Sequence, residues 1–387
     1  MAIRHQTLAI GLDFGTTNTT VASFGRPIPL GETGSVLLPS ALAFLPSGTT
    51  VIGEPARMRR AIDPPNTLLS IKRVIGAPPS SSVAKSFIAT MPYFVGDIHQ
   101  DELSFRTRGG AFRASEIAKM IIAHAFALAD VSPLSVSVLV VGVPTSYTPE
   151  RKQVLLNALQ SLGFAKVHLI EEPVLTAVAY VGRSSVRRAL VFDFGGGTFD
   201  VAVIDGTLHP FRVLAQGGDP YLGGNDIDLA LAMRLREQLL RATGWDLGSN
   251  PVVLDRLVHE VEQAKMQLAY EESTLIQGTD LDPAAPISIG AIFLDRATLA
   301  EVACPFVMRA LQITEEVLEQ ARVTPREIDA IFLSGGSTRL AVLRESLVQR
   351  FGKRPRHDVD PACTVAIGAS LLAARPELLQ AFVGSPS

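Results

Sequence analysis

Two stretches of the chain carry one pattern of apolar and polar positions. Residues 10–24 read IGLDFGTTNTTVASF and residues 190–204 read LVFDFGGGTFDVAVI. In both, apolar residues run into Asp-Phe-Gly, small residues follow, and Val-Ala stands eight residues after the aspartate. Each predicts a β-hairpin: an apolar strand, a turn rich in Gly and Thr, and a second strand with alternating side chains. Asp13 and Asp193 lie 180 residues apart in a chain of 387. The repeat therefore predicts two similar lobes.

Beyond each hairpin the pattern alternates between strands and helices. VSVLVVGVP (136–144) reads as a buried strand. Thr148-Pro149 then caps and opens a helix through QVLLNALQSLG, whose apolar positions recur at helical spacing. DAIFLSGG (329–336) reads as a strand ending in a glycine pair, followed by a helix through TRLAVLRESLVQRFG that stops at Gly352. Asp360-Pro361 is expected to begin the last helix, through VAIGASLLAA, after which RPELLQAFVGSPS reads as a thinning tail. Sheets covered by helices follow, an α/β class. GAPPSSSVAKS (76–86) and GTDLDPAAPISIG (278–290) read as surface loops from their Pro, Gly and Ser content, and the lobe boundary is expected near Ser184-Ser185.

Composition narrows the classes of partner. With 47% hydrophobic and 19% charged residues and two cysteines, the chain reads as a globular protein of about two domains; disorder, collagen and disulfide scaffolds are excluded. A net charge of −3 and a pI near 6.2 provide no field to gather nucleic acid or an anionic membrane, so neither is an expected partner. Cys304 and Cys363 have no metal-type spacing. The apolar runs fall short of the ~18–20 residues that span a bilayer, and LAIGL meets Asp13 too early for a signal peptide. A cytoplasmic monomer is expected. Of 35 basic residues 28 are Arg, so a lysine inside a candidate site is the more telling.

Glycines in a turn let backbone N–H groups approach an anion closely, because no Cβ intervenes. Both turns qualify, and each joins an aspartate at a strand end to a nearby hydroxyl: Asp13 with Thr16, and Asp193 with Thr198. A carboxylate on each side of a polyphosphate suits Mg²⁺, which keeps most of its waters and takes few protein ligands. A single Asp-x-Gly turn is ordinarily a hairpin turn with an Asx bond. The second copy is what points to a metal–nucleotide clamp. GxxxxGK[ST] and GxGxxG are both absent, so neither a Walker A nor a Rossmann site is expected.

Taken in order, IGLDFGTTN, LLPSALAF, TLLSIKRVIG, VVGVPTSYTPERKQ, EEPVLTAVAYVG, VFDFGGGTFDVAVI, LGGNDID and IFLSGGSTRL resemble segments of one known domain. It is the nucleotide-binding domain of the heat-shock 70 kDa (DnaK-type) chaperones, within the actin-like ATPase superfamily. The resemblance covers nearly the whole chain. It implies an α/β actin-like ATPase fold, a duplicated ribonuclease H-like core whose two lobes flank a nucleotide cleft. Lobe I would cover 1–184 and lobe II 185–360, with a C-terminal helix returning to lobe I and a short tail over 361–387. It also implies ATP and ADP with Mg²⁺ as ligands, and slow hydrolysis by direct attack of water.

Carried over by residue, Asp13 and Asp193 would hold the Mg²⁺ hydration shell. Gly15, Thr16, Thr17 and Asn18 would form the first phosphate loop, with Thr16 and Thr17 at the β- and γ-phosphates, and Gly195, Gly196 and Gly197 the backbone cradle. Lys72 would set its ammonium against the γ-phosphate and attacking water, where negative charge grows. Glu172 would orient water or metal, its neighbour Glu171 being the alternative at the helix start, and Thr198 and Asp200 would position the nucleophile. Gly335, Gly336, Ser337 and Arg339, with Glu262 and Lys265, would enclose the adenosine, and Gly224 joins the nucleotide-binding set.

The departures matter equally. Ala269 stands where a serine is expected near sugar or base, Met266 where some members stack an arginine, and Ala362 where an aspartate is usual. Ser146 replaces an aromatic beside Pro144 and Arg151, the family's relay of nucleotide state. Weaker affinity or looser base preference, and altered interdomain signalling, are expected. A stand-alone member without a peptide-binding domain, acting with an unknown protein partner or co-chaperone, is expected. The alternative is a nucleotide-dependent protein-binding switch with little or no turnover. Filament formation and sugar phosphorylation rank below both, since the motifs match the chaperone branch.

Overall fold

A computed structural model describes residues 8–91, 93–95, 101–181, 186–208, 210–285, 290–356 and 358–383. The first repeat folds as β1 (Leu8–Phe14) and β2 (Asn18–Ser23), antiparallel with Asp13 opposite Thr20. Helix α1 (Ala114–Leu128) leads to β3 (Val136–Val143), α2 (Pro149–Gln160), β4 (Val167–Glu171) and α3 (Glu172–Val181). β3 lies parallel between β1 and β4, giving the order β4-β3-β1-β2. Its near-continuous apolar run is what a strand covered on both faces requires. α2 starts where the sequence indicated: the Thr148 hydroxyl accepts from Arg151 N at 3.4 Å, and Pro149 occupies the first turn.

The second repeat forms β5 (Arg188–Phe194) and β6 (Phe199–Asp205), extended by β7 (Arg212–Asp219). Helices α4 (Gly224–Thr243), α5 (Pro251–Gln267) and α6 (Arg296–Ala321) follow, then β8 (Ala330–Ser334) and α7 (Ala341–Phe351). The sheet order is β7-β6-β5-β8, with β8 parallel to β5. Each sheet has its own apolar core, one around Leu12, Val21 and Ile121, the other around Phe192, Leu231 and Leu257. A third apolar cluster joins them. It is built on α3 and on α8 (Thr364–Ala373), with Leu175, Tyr180, Val191, Ile367 and Phe332 buried together. Tyr180 stacks on Phe332 at 4.6 Å and donates its hydroxyl to Leu333 O at 3.1 Å.

That cluster needs small residues where backbones meet. A Cβ on Gly368 of α8 would lie 1.8 Å from Leu175 O of α3, and one on Gly11 of β1 would lie 2.2 Å from Ser370 N of α8. The chain's end therefore packs against the strand that carries Asp13. Pro361 and Ala362, in the turn just before α8, and the first residue of α3, Glu172, line a single cavity.

Several local expectations are corrected. Residues 82–86 of the stretch expected as loop are helical, the first part of a helix over Ser82–Thr90, and the Ser81 hydroxyl caps it by accepting from Ala84 N at 3.2 Å. Gly278–Leu281 is also helical, while residues 286–289 of that stretch lie outside the described residues. The helix expected from Asp360-Pro361 starts at Thr364 after a turn, and the one expected from Thr338 starts at Ala341, since Gly336–Arg339 forms a tight 3₁₀ turn. The tail does not thin out at Arg375: α9 (Pro376–Val383) buries Leu379 and sets Phe382 5.1 Å from Phe211. The boundary expected at Ser184-Ser185 lies outside the described residues.

Candidate functional site

The two turns are built alike. Gly15 N donates to Asn18 O at 2.9 Å, and Gly195 N donates to Thr198 O at 3.0 Å. They also face each other. A Cβ on Gly196 would lie 2.0 Å from Thr17 Oγ1, and one on Gly197 would lie 2.5 Å from Thr16 Cγ2. The glycines are required here by the approach of the opposite turn, not by positive φ. Thr16, Thr17, Asn18, Gly195 and Gly196 line one cavity with Asp13, Asp193 and Thr198. Thr17 Oγ1 is buried and meets no partner among the described residues, a polar group available to a ligand.

Lys72 enters this cavity from lobe I on a short 3₁₀ turn, Ile71–Val74, that follows Ser70 in the left-handed region at φ 59°. Its ammonium is 2.5 Å from Glu172 Oε1 and 3.6 Å from Asp13 Oδ1. Glu171, the alternative, instead pairs with Lys152 at 3.0 Å nearer the surface. The backbone under Lys72 is pinned from several sides. Tyr147 donates to Lys72 O at 2.5 Å, and Arg151 donates to Arg73 O and Ile75 O, each at 2.8 Å. The buried Glu102 accepts from Gly76 N at 2.9 Å. Arg151, expected as a relay residue, lies 4.0 Å from the Tyr147 ring centre and braces this segment directly.

The electrostatics are those of a site that needs positive charge. Burial pushes the Asp13 carboxyl up to about 6, with Lys72 opposing. Burial, with Glu172 and Asp200 nearby, pushes Asp193 well above the carboxylate range. Asp200 rises to about 7 through burial and the Glu172 charge, opposed by Thr145, whose N–H donates at 3.0 Å and whose hydroxyl also donates. Burial alone would lower Lys72, but Glu172 and Asp13 outweigh it and hold the ammonium charged. Among the described residues no three His, Cys, Asp or Glu side chains converge tightly enough to enclose a metal ion themselves. A cation between Asp13 and Asp193 would take its remaining ligands from water or a bound anion.

One pH effect follows. A carboxyl raised in the folded state contributes stability that is present below its unfolded value near 3.8 and is lost as pH rises through the folded one. Without divalent metal or nucleotide, Asp200→Asn is expected to gain stability relative to the parent as pH rises from about 4 through about 7. Thermal unfolding across that range checks it, and a pH-independent difference contradicts it.

Beside the phosphate cavity is a larger one of about 340 Å³, within the usual range of ~300–1,000 Å³ for small-molecule sites. Met266, Ala269 and Tyr270 form one wall, and Gly336, Ser337 and Arg339 another. Its expected polar contacts are partly engaged by protein. Lys265 Nζ is 2.7 Å from Asp228 Oδ2 and 3.1 Å from Gly224 O, Ser337 donates to Gly195 O at 2.8 Å, and Arg339 is 2.9 Å from Asp360. Glu262 is 3.8 Å from Arg60. Gly335 and Gly336 also border the cavity between the turns, while Asp200 and Gly197 are not among its lining residues.

Residues that sequence reasoning did not single out close the cleft. Arg73 crosses between lobes, donating to Gly197 O at 3.0 Å and pairing with Asp226 at 2.7 Å. Arg60 grips Asp255 at 2.7 Å. Arg73 stands in the quoted SIKRVIG stretch, but only the meeting of the lobes reveals its partner.

The sequence model of the Hsp70 protein family matches residues 9–377. The chaperone protein DnaK of Thermus thermophilus is 32% identical over 376 residues, covering 94% of this chain and 60% of that protein. The mitochondrial heat shock protein SSC3 of Saccharomyces cerevisiae is 30% identical over 372 residues, 94% of this chain and 58% of its own. The chain spans about three fifths of the length of the curated relatives it matches.

Proposed function

The chain belongs to the Hsp70 protein family and has its actin-like ATPase fold, and from that premise we propose that it binds ATP with Mg²⁺ between the paired turns and hydrolyses it slowly. The observation that carries this reading is the approach of Gly196 to Thr17, which leaves room for backbone donors and none for side chains. On this reading Thr16, Thr17 and the N–H groups of Gly195 to Gly197 bind phosphate oxygens. Asp13 and Asp193 hold the hydrated Mg²⁺, which when bound offsets phosphate charge. Lys72 compensates the charge that develops during transfer, where positioning and electrostatics dominate. Glu172 fixes the ammonium, and Asp200, with its carboxyl raised to about 7, can exchange a proton near neutral pH. The base lies against Met266 and Arg339, without the serine that Ala269 replaces.

The chaperone role of the relatives comes to this chain as a proposal: lobe closure on ATP presents one surface to a partner protein and lobe opening another. Hydrolysis of radiolabelled ATP by purified protein tests the enzymatic reading. Release of phosphate that depends on Mg²⁺ is expected. Bound ATP that stays intact over hours contradicts turnover and leaves a nucleotide-dependent switch, which the engagement of Lys265 and Arg339 by other residues favours.

Arg73 gives a test of closure. A charge-assisted bond is worth about 1.5–3 kcal/mol at most when partly buried, so removing the lobe-bridging pair is expected to speed ADP release by about tenfold or more. Stopped-flow release of a fluorescent ADP analogue from Arg73→Ala checks this. An unchanged rate contradicts a closing role.

A further inference from the structure

A third cavity, of about 210 Å³, lies between the lobes and meets the one of about 340 Å³ at Asn225 and Glu262. Leu69 and Tyr93 line it from lobe I, and Leu254 and Val258 from lobe II. Asp228, 2% exposed, also lines it. One oxygen of that carboxylate takes Lys265 at 2.7 Å, while Oδ1 meets no donor among the described residues. The cationic groups in the wall are committed elsewhere. Arg60 makes its hydrogen bonds to Asp255 at 2.7–3.0 Å, and Arg73 spends its guanidinium on Gly197 and Asp226. A buried acceptor with no donor is costly, and a ligand that supplies one gains accordingly.

We propose that this cavity is a binding site for a small organic monocation, an ammonium or amidinium on a one-ring apolar body, whose charge docks on Asp228 Oδ1. The size fits: a cavity of ~150 Å³ accepts benzene, and the added volume holds the cationic head. Acidic and basic groups in the wall, with Arg60 and Arg73 against Asp226, Asp228, Asp255 and Glu262, leave an excess of negative charge that Lys265 only partly offsets. A neutral or anionic ligand lacks that complement. The site adjoins the base cavity at Asn225 and Glu262 and is testable without nucleotide.

Calorimetric titration of benzamidine into the nucleotide-free protein tests it. Saturable one-to-one binding is expected, with benzamide, its neutral isostere, at least about tenfold weaker, the loss of one charge-assisted bond. Asp228→Asn is expected to weaken benzamidine at least about tenfold. Because that change also disturbs Lys265, a second variant, Ala89→Phe, adds bulk at an exposed helix position in the cavity wall and keeps every ion pair; it is expected to weaken benzamidine at least about tenfold as well. No binding by the parent, equal binding by Asp228→Asn or by Ala89→Phe, or a loss produced only by Asp193→Asn in the phosphate cleft overturns the proposal.

Discussion

Lys72→Met is expected to lower ATP turnover by about 10²–10³-fold, the usual effect of removing one preorganised charge from a developing oxyanion. The same change carries a stability penalty, because it leaves Glu172 and Asp13 buried without their cation. Breaking a buried pair by removing one partner costs about 3–5 kcal/mol, and Lys72 and Glu172 are each only 7% exposed in their side chains. The two effects separate in Lys72→Met/Glu172→Gln. Neutralising the carboxylate is expected to restore much of the thermal stability and none of the turnover. Steady-state phosphate release and calorimetric melting, read on the three proteins together, check this. If the double variant regains turnover with its stability, Lys72 acts only as a structural counter-ion and the assignment fails.

Gly368→Ala is expected to destabilise the protein by about 3 kcal/mol or more, at the upper end of overpacking effects. The reason is the identity of the obstacle. The new Cβ would lie 1.8 Å from the carbonyl oxygen of Leu175, a backbone atom inside α3 that cannot rotate away. The helices would have to separate, and the third apolar cluster opens with them. For a chain of this size, with about 2.1 cal/mol/K of unfolding entropy per residue, the midpoint of unfolding falls by roughly 4 °C or more. Gly290→Ala is the control, since nothing lies within 4 Å of its added Cβ. Its effect is expected within about 0.5 kcal/mol. Equal melting of the two variants contradicts the close-packed crossing. Because α3 starts at Glu172 and α8 follows Ala362, Gly368→Ala is also expected to weaken nucleotide binding.

How legible these features were depends on their range. The hairpins could be read because each is local and the sequence states the pattern twice. Lys72 could be singled out because lysines are few and its flanks matched a family segment. The helix at Ser82–Thr90 was hidden by three serines that suggest a loop, though Ser81 is its cap. α9 was missed because its stretch was read as a thinning tail, although proline readily opens helices and the spacing of Leu379 and Phe382 marks a short apolar face. Arg73, Thr145 and Arg60 were beyond reach for a different reason. Their partners Asp226, Asp200 and Asp255 lie 153, 55 and 195 residues away, so only the meeting of the lobes brings them together. Asp200 itself was readable as a site residue, but not that Thr145 would hold it.

The central claim is that the duplicated turns grip a metal-bound polyphosphate between them. The direct measurement is a crystal structure of the protein with Mn²⁺ and a non-hydrolysable ATP analogue, with the anomalous signal locating the metal. The metal is expected between Asp13 and Asp193, with phosphate oxygens against Thr16, Thr17 and the N–H groups of Gly195, Gly196 and Gly197. A metal and phosphates bound elsewhere, with the two turns still in contact and bare of ligand, would contradict the account.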